Sequence, residues 1–142
     1  MTGNAVTLTR GADIVMFQIS DADHKGVGSL SIDGKITLDG NTSINATKNM
    51  ILNYGEALNL GADTLVQNVK SATSSAIYSL NGTVTLKGDF KDNQCSGNGK
   101  GGALRVDAGT AYIEGTADNK ATFTNNTNRY GGAVYVQNAT LH

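Results

Sequence analysis

The sequence predicts an all-β fold: a right-handed parallel β-helix, or solenoid, of about five coils with three short strands in each. Three observations carry that expectation. A two-part signature occurs twice. Phe90-Lys91-Asp92-Asn93 precedes Gly101-Gly102-Ala103-Leu104, and Phe123-Thr124-Asn125-Asn126 precedes Gly131-Gly132-Ala133-Val134, with Ala103 and Ala133 30 residues apart. Short runs of alternating apolar and polar residues, bounded by Gly, Asn or Asp, fill the rest of the chain. The composition agrees: 18 glycines, no proline, and 16% charged residues against roughly 25% in an average domain.

Taken in order, the predicted strands are Ala5 to Thr9, Asp13 to Ile19, Ser29 to Ile32, Lys35 to Leu38 and Thr42 to Ala46. Met50 to Leu52, Ala57 to Leu60 and Thr64 to Val69 follow, the last also compatible with a short helix. The second half gives Ala76 to Leu80, Thr83 to Leu86, Ala103 to Val106, Ala111 to Glu114, Ala121 to Thr124 and Ala133 to Val136. Asp33-Gly34, Asp39-Gly40, Asn81-Gly82 and Ala108-Gly109 mark turns, where Gly and Asn supply the positive φ that tight turns need. Each Asn-Gly or Asp-Gly pair would also suit a hairpin. The period argues for coils instead: Ala76-Ile77-Tyr78, Ala103-Leu104-Arg105 and Ala133-Val134-Tyr135 align at spacings of 27 and 30. In the clearest unit, Gly101 to Val106, Ala111 to Gly115 and Ala121 to Asn126 are three sides. Asp107 to Thr110, Thr116 to Lys120 and Thr127 to Tyr130 connect them. The whole chain, 1–142, reads as a single β-helical unit, with irregular coils over about 1–75 and regular coils over about 76–142.

That geometry gives the signature a structural meaning. Inward residues of successive coils stack in columns, so Phe90 and Phe123 are expected to share one. Asn93 and Asn126 fall at a corner, where a buried amide can bond turn backbone and its counterpart in the next coil. Gly101-Gly102 and Gly131-Gly132 free the backbone at a tight corner, and Ala103 and Ala133 place a small side chain where the coil is narrow.

Charge excludes some partners. The net charge of −1 leaves no basic footprint for nucleic acid. No apolar run approaches the ~18 residues of a membrane-spanning helix. Met1-Thr2-Gly3-Asn4 lacks the regions of a signal peptide, and Thr140-Leu141-His142 ends inside a strand-like pattern. The expectation is an excised fragment with an added start Met and a remnant of a tag. Cut coils would expose strand edges at both ends and favour end-to-end self-association. Cys95, the only cysteine, lies in a polar stretch and reads as an incidental surface thiol.

Paired GGA[ILV] and FxxN motifs on a β-helical period resemble the polymorphic outer membrane proteins of chlamydiae. They are similar to related bacterial autotransporter passenger domains. Phe90 to Asn93, Gly101 to Leu104, Phe123 to Asn126 and Gly131 to Val134 carry the match, and Gly55-Glu56-Ala57-Leu58 and Ser74-Ser75-Ala76-Ile77 are weaker echoes. The lone Cys95 and the absence of proline depart from the family pattern. The resemblance implies a passenger exported through an outer-membrane barrel that lies outside this chain. Such a passenger is displayed at the bacterial cell surface or secreted, and acts in adhesion to a host receptor or glycan. It implies neither enzymatic activity nor a cofactor.

The residues offer few rival sites. A carbohydrate-cleaving β-helix needs clustered carboxylates on one exposed sheet. Here Asp33, Asp39, Asp89, Asp107 and Asp118 read as turn residues, and Glu114 alone as centred in a strand. Asp21-Ala22-Asp23-His24 has a metal-like look but lacks the further ligands of a calcium loop. Gly97-Asn98-Gly99-Lys100-Gly101-Gly102 lacks the Lys-Ser/Thr ending of a phosphate cradle and reads as a projecting loop. The sequons at Asn41, Asn45, Asn81, Asn125 and Asn138 follow from the abundance of Asn and Thr. Recognition is expected in the loops Ser20 to Gly28, Lys91 to Lys100 and Thr127 to Tyr130, with Asn128, Arg129 and Tyr130 as contact residues. Tyr54, Tyr78, Tyr112 and Tyr135 are expected on outer strand faces. The competing readings are a carbohydrate-active β-helix and a plain spacer.

Overall fold

Backbone groups in a coil that turns three corners per circuit need partners outside their own strand. The computed structural model, which describes residues 4–115 and 120–142, shows where they find them. Each inner strand bonds its equivalents in the coils before and after, as parallel pairs, and the end strands bond on one side. The strands are β1 (Val6–Thr9), β2 (Phe17–Ile19), β3 (Ser29–Ile32), β4 (Ile36–Asp39), β5 (Ile51–Asn53) and β6 (Ala57–Leu60). Next come β7 (Leu65–Gln67), β8 (Lys70–Ser71), β9 (Ile77–Ser79), β10 (Thr83–Leu86), β11 (Asp89–Lys91) and β12 (Gln94–Cys95). The last are β13 (Leu104–Val106), β14 (Gly109–Ile113), β15 (Thr122–Thr124), β16 (Val134–Val136) and β17 (Ala139–Leu141).

They form a right-handed β-helix of about five turns. Its three sides are five-stranded sheets. The first sheet runs β2-β5-β9-β13-β16, the second β3-β6-β10-β14-β17, and the third β1-β4-β7-β11-β15. A short fourth side, β8 with β12, closes the corner between the third and first sheets in the middle coils.

Alternation fills the lumen. Ile51, Ile77 and Leu104 form a column of the first sheet, Leu58 and Val84 one of the second, and Leu38, Val66 and Phe90 one of the third, all at most 1% exposed. Each such side chain contributes roughly 1.5–3 kcal/mol by leaving water. At the two ends the columns open: Leu8 is 40% exposed and Leu141 47%.

Several expected elements shift. Asp13 to Ile19 is strand only from Phe17, because the Asp13 carboxylate instead accepts the amides of Thr47 and Lys48. Thr42 to Ala46 is not a strand; only Ala46 bridges to Ser71. Thr64 to Val69 contains strand β7 and no helix. Asp39 closes β4 and Asp89 opens β11 rather than sitting in turns, and Glu114 lies just past β14, paired with Lys87 at 3.2 Å. Cys95 is not a surface thiol: it points inward from β12 and is 3% exposed. Asp118 and most of the Thr116 to Lys120 connection lie outside the described residues, as does Met1 to Gly3.

Register also corrects one of the echoes. Ser75-Ala76-Ile77 stands in the column of Gly102-Ala103-Leu104, whereas Ala57 pairs with Thr83 on the second sheet. The counterpart of the GGA corner in that coil is Asn49-Met50.

Candidate functional site

The signature residues come together as one corner. The rings of Phe90 and Phe123 stack with centroids 4.9 Å apart and planes at 13°. Asn93 is fully buried: its Nδ2 donates to the Val66 carbonyl at 3.0 Å and to Asn126 Oδ1 at 2.9 Å, and its Oδ1 accepts the Val69 amide at 3.2 Å. Asn126 continues the ladder, donating to the Phe90 carbonyl at 2.8 Å. Gly101 and Gly131 have φ of +67° and +61°, and a Cβ on Gly102 would lie 2.5 Å from the Gly132 carbonyl oxygen. Ala103 is fully buried and Ala133 half-buried at the end of the same column. These ten residues build the coil: Phe90, Asn93, Gly101, Gly102 and Ala103 are buried, and their counterparts one turn on are half-buried or, at Gly131 and Gly132, exposed.

What is presented lies next to them. The expected loop Lys91 to Lys100 is in its first half part of the coil, because Lys91 closes β11, Asn93 is buried in the ladder and Gln94–Cys95 form β12. The stretch after Cys95 and the loop from Thr127 to Tyr130 leave the coil at the same corner, one turn apart, and are pinned together. Gln94 bridges to Thr127 and Lys100 to Tyr130. Arg129 donates to Asn98 Oδ1 at 2.8 Å. Between the loops is an open recess of about 470 Å³ lined by Ser96, Gly97, Asn98, Thr127, Asn128 and Arg129, with Cys95 in its wall. Asn128 Nδ2 is buried and has no partner among the described residues. The Arg129 guanidinium stands 5.4 Å from the centre of the Tyr130 ring, and Tyr130 is 46% exposed at the rim.

A ladder on the outer face of the first sheet runs on from this corner. Gln18, Leu52, Tyr78, Arg105 and Tyr135 occupy one row. Arg105 lies over the Tyr78 ring at 4.3 Å and Lys100 over the Tyr135 ring at 4.7 Å. Arg105 grips Asp107 with two nitrogens, Nε at 2.9 Å, and the Tyr78 hydroxyl donates to the same carboxylate at 2.7 Å. Burial alone would raise the Asp107 carboxyl, but the hydrogen bonds from Arg105 and Tyr78 outweigh it and hold it below the ordinary carboxylate value. Burial and the Asp107 bond push the Tyr78 phenol up to about 12. Lys100 and the Tyr135 hydroxyl both donate to Gln137 Oε1, at 2.8 and 3.0 Å.

The remaining candidates separate. Asp21 accepts the amides of Asp23 and His24 and meets His24 Nδ1 at 2.8 Å, a local turn with no further ligand. Among the described residues no group of His, Cys, Asp and Glu is placed to hold a metal. Tyr112 is on the outer face of the second sheet, stacked on His142 at 4.8 Å. Asn41, Asn125 and Asn138 adopt positive φ, so three of the sequons begin at turn asparagines. Two features escaped the sequence reading. The Arg105–Asp107–Tyr78 cluster joins two coils, and only the register could align it. Arg10 is 1% exposed, with its terminal nitrogens on the Lys48 carbonyl at 3.3 and 3.4 Å, and desolvation lowers its guanidinium from the ordinary value against the pull of Asp13.

No family model, no curated protein and no solved structure matches this chain.

Proposed function

We propose that the chain is a non-enzymatic segment of a bacterial surface passenger, of the autotransporter kind, and that it contributes to adhesion through the corner where its two irregular loops meet. One observation carries this reading. The repeated motif residues are consumed in building coils, and the loops beside them, from adjacent coils, converge on an open polar recess. Rigid coils that hold variable loops are how repeat proteins present binding surfaces.

The enzymatic alternative finds less support. A glycosidase acid needs a carboxyl held protonated near neutral pH. Hydrogen bonds hold the Asp13, Asp21, Asp39 and Asp107 carboxyls below the ordinary value, so none of these four suits that acid role. The test of adhesion is direct. Purified chain is expected to bind host cells and to compete with bacteria that display the whole passenger. A fragment that does neither, while correctly folded, leaves a spacer as its role.

The same reading expects copies to associate end to end. Val6 and Leu8 on β1, and Leu141 on β17, leave column positions 40–49% exposed where another coil would cover them. Light scattering should give a mass that grows with concentration; a constant monomer mass would count against it.

A further inference from the structure

We propose that the recess between the two loops is a subsite for the carboxylate of an acidic sugar. The proposal rests on the adhesion reading and names the chemistry of the ligand.

The recess is rich in donors and lacks a carboxylate. Arg129 spends one terminal nitrogen on Asn98, and among the described residues no other hydrogen-bond acceptor holds the remaining nitrogens of its fork, which faces the Tyr130 ring. The Thr127 hydroxyl has no partner among the described residues, and the Ser96 hydroxyl makes only a 3.5 Å contact to the Ser71 carbonyl; the unpartnered Asn128 amide nitrogen is sealed beneath this surface and is not one of these donors. None of the lining residues is Asp or Glu. A set of N–H and O–H donors around a guanidinium, with no acid to neutralise it, favours an anion. The planar fork of Arg suits a planar carboxylate.

Size argues for more than an ion. About 470 Å³ falls in the range of small-molecule sites, and the amide and hydroxyl groups can bond sugar hydroxyls as well. Tyr130, next in the chain to Arg129 and half exposed, lies outside the lining and packs against the Arg129 guanidinium. The tyrosine rungs of the first sheet are poorer candidates, because their cations are already committed, Arg105 to the Asp107 carboxylate and Lys100 to Gln137.

The experiment is an amide chemical-shift titration of the isotopically labelled chain. Glucuronate is the probe, with glucose as its neutral counterpart, and acetate and inorganic sulfate as bare anions. Glucuronate should shift the amides of residues 96–98 and 127–130 and leave the sheets unchanged. Arg129→Gln should weaken that binding by about tenfold or more. Asn98→Asp, which places a carboxylate in the recess, should weaken it as well. Both side chains are exposed, and the unshifted sheet amides report that each variant is folded. Equal response to glucose would remove the role of the carboxylate. Equal response to acetate or sulfate would reduce the site to an anion cradle. No response at millimolar glucuronate, or shifts elsewhere, would overturn the proposal. Cell adhesion is scored separately. Loss of adhesion with intact glucuronate binding sinks only the adhesion reading, and adhesion undisturbed by Arg129→Gln sinks the subsite as its contact.

Discussion

Two successive coils build the corner that leads into the first sheet in different chemistries. Before β9 it is made of serines. Ser71 Oγ donates to the Ala46 carbonyl and accepts the amides of Thr73 and Ser74, Ser74 Oγ donates to the Thr47 carbonyl, and Ser75 Oγ donates to the Ile77 carbonyl. Before β13 the positions of Ser74 and Ser75 are held by Gly101 and Gly102. There the backbone bonds directly to the next coil, Gly101 to the Tyr130 carbonyl and Gly102 to the Gly132 carbonyl. Hydroxyls satisfy the turn in one coil, and close backbone approach does so in the other. Both glycines leave no room: a Cβ on Gly101 would lie 2.0 Å from the Leu104 carbonyl oxygen. The comparison teaches that the GGA motif is one solution to a corner and not a requirement of the coil. It is needed where the corner takes positive φ and packs its backbone against neighbouring backbone atoms.

The largest expected difference between the two coils is in the third-sheet column. Phe90→Ala removes a ring that is 1% exposed and stacked on Phe123, and should cost about 3–5 kcal/mol in urea unfolding. Val66→Ala, one coil earlier in the same column, should cost roughly 2 kcal/mol or less. Equal costs would mean that the aromatic column adds nothing beyond its area.

The corner itself comes next. Gly101→Ala forces a Cβ into left-handed backbone and against a carbonyl, and should cost about 2–4 kcal/mol. Ser74→Ala removes a single hydroxyl bond and should cost about 1 kcal/mol. If Ser74→Ala proved as damaging as Gly101→Ala, the two corners would depend equally on their side-chain positions. Asn93→Ala sits between these, at about 2–3 kcal/mol, because it strands the Val66 carbonyl and the Val69 amide in a dry interior. Hydrogen exchange at Val69 would report the loss locally.

Much of this architecture was legible in the sequence, for a physical reason. In a solenoid every coil meets the same neighbours, so the constraint on Phe90 recurs at Phe123, and that on Gly101 recurs at Gly131. The spacing of Ala76, Ala103 and Ala133 read from the sequence is the register observed. Where a corner used another chemistry, repetition gave no guide. Gly55-Glu56-Ala57-Leu58 looked like the motif and belongs to a different side of the coil. The short strands β8 and β12 carry too few residues to alternate visibly, and so Cys95 was placed in a loop when it points inward. At the site, the two loops were identified as irregular stretches. Their convergence needed the stacking, because Asn98 and Arg129 lie 31 residues apart in the chain.

The smallest predicted effect tests whether the serine coil and the glycine coil are joined on the outer face as well as in the lumen. Tyr78 belongs to the first and Asp107 to the turn after β13 in the second. Because the folded chain raises the phenol from about 10 to about 12, folding retains a proton that the unfolded chain releases. That stabilisation is complete below about pH 10 and is lost as the pH rises through about 12. The Asp107 carboxyl works in the opposite sense: its lowered value contributes stability above the ordinary carboxylate range that fades as the pH falls below it. Tyr78→Phe should cost about 1 kcal/mol at neutral pH. It should flatten the alkaline limb and leave most of the acid limb, because Arg105 still holds Asp107. Other phenols and lysines titrate in the same alkaline range, so the quantity to measure is the difference between the two unfolding curves. A difference independent of pH from neutrality to about pH 12 would show that the hydroxyl does not couple the two coils.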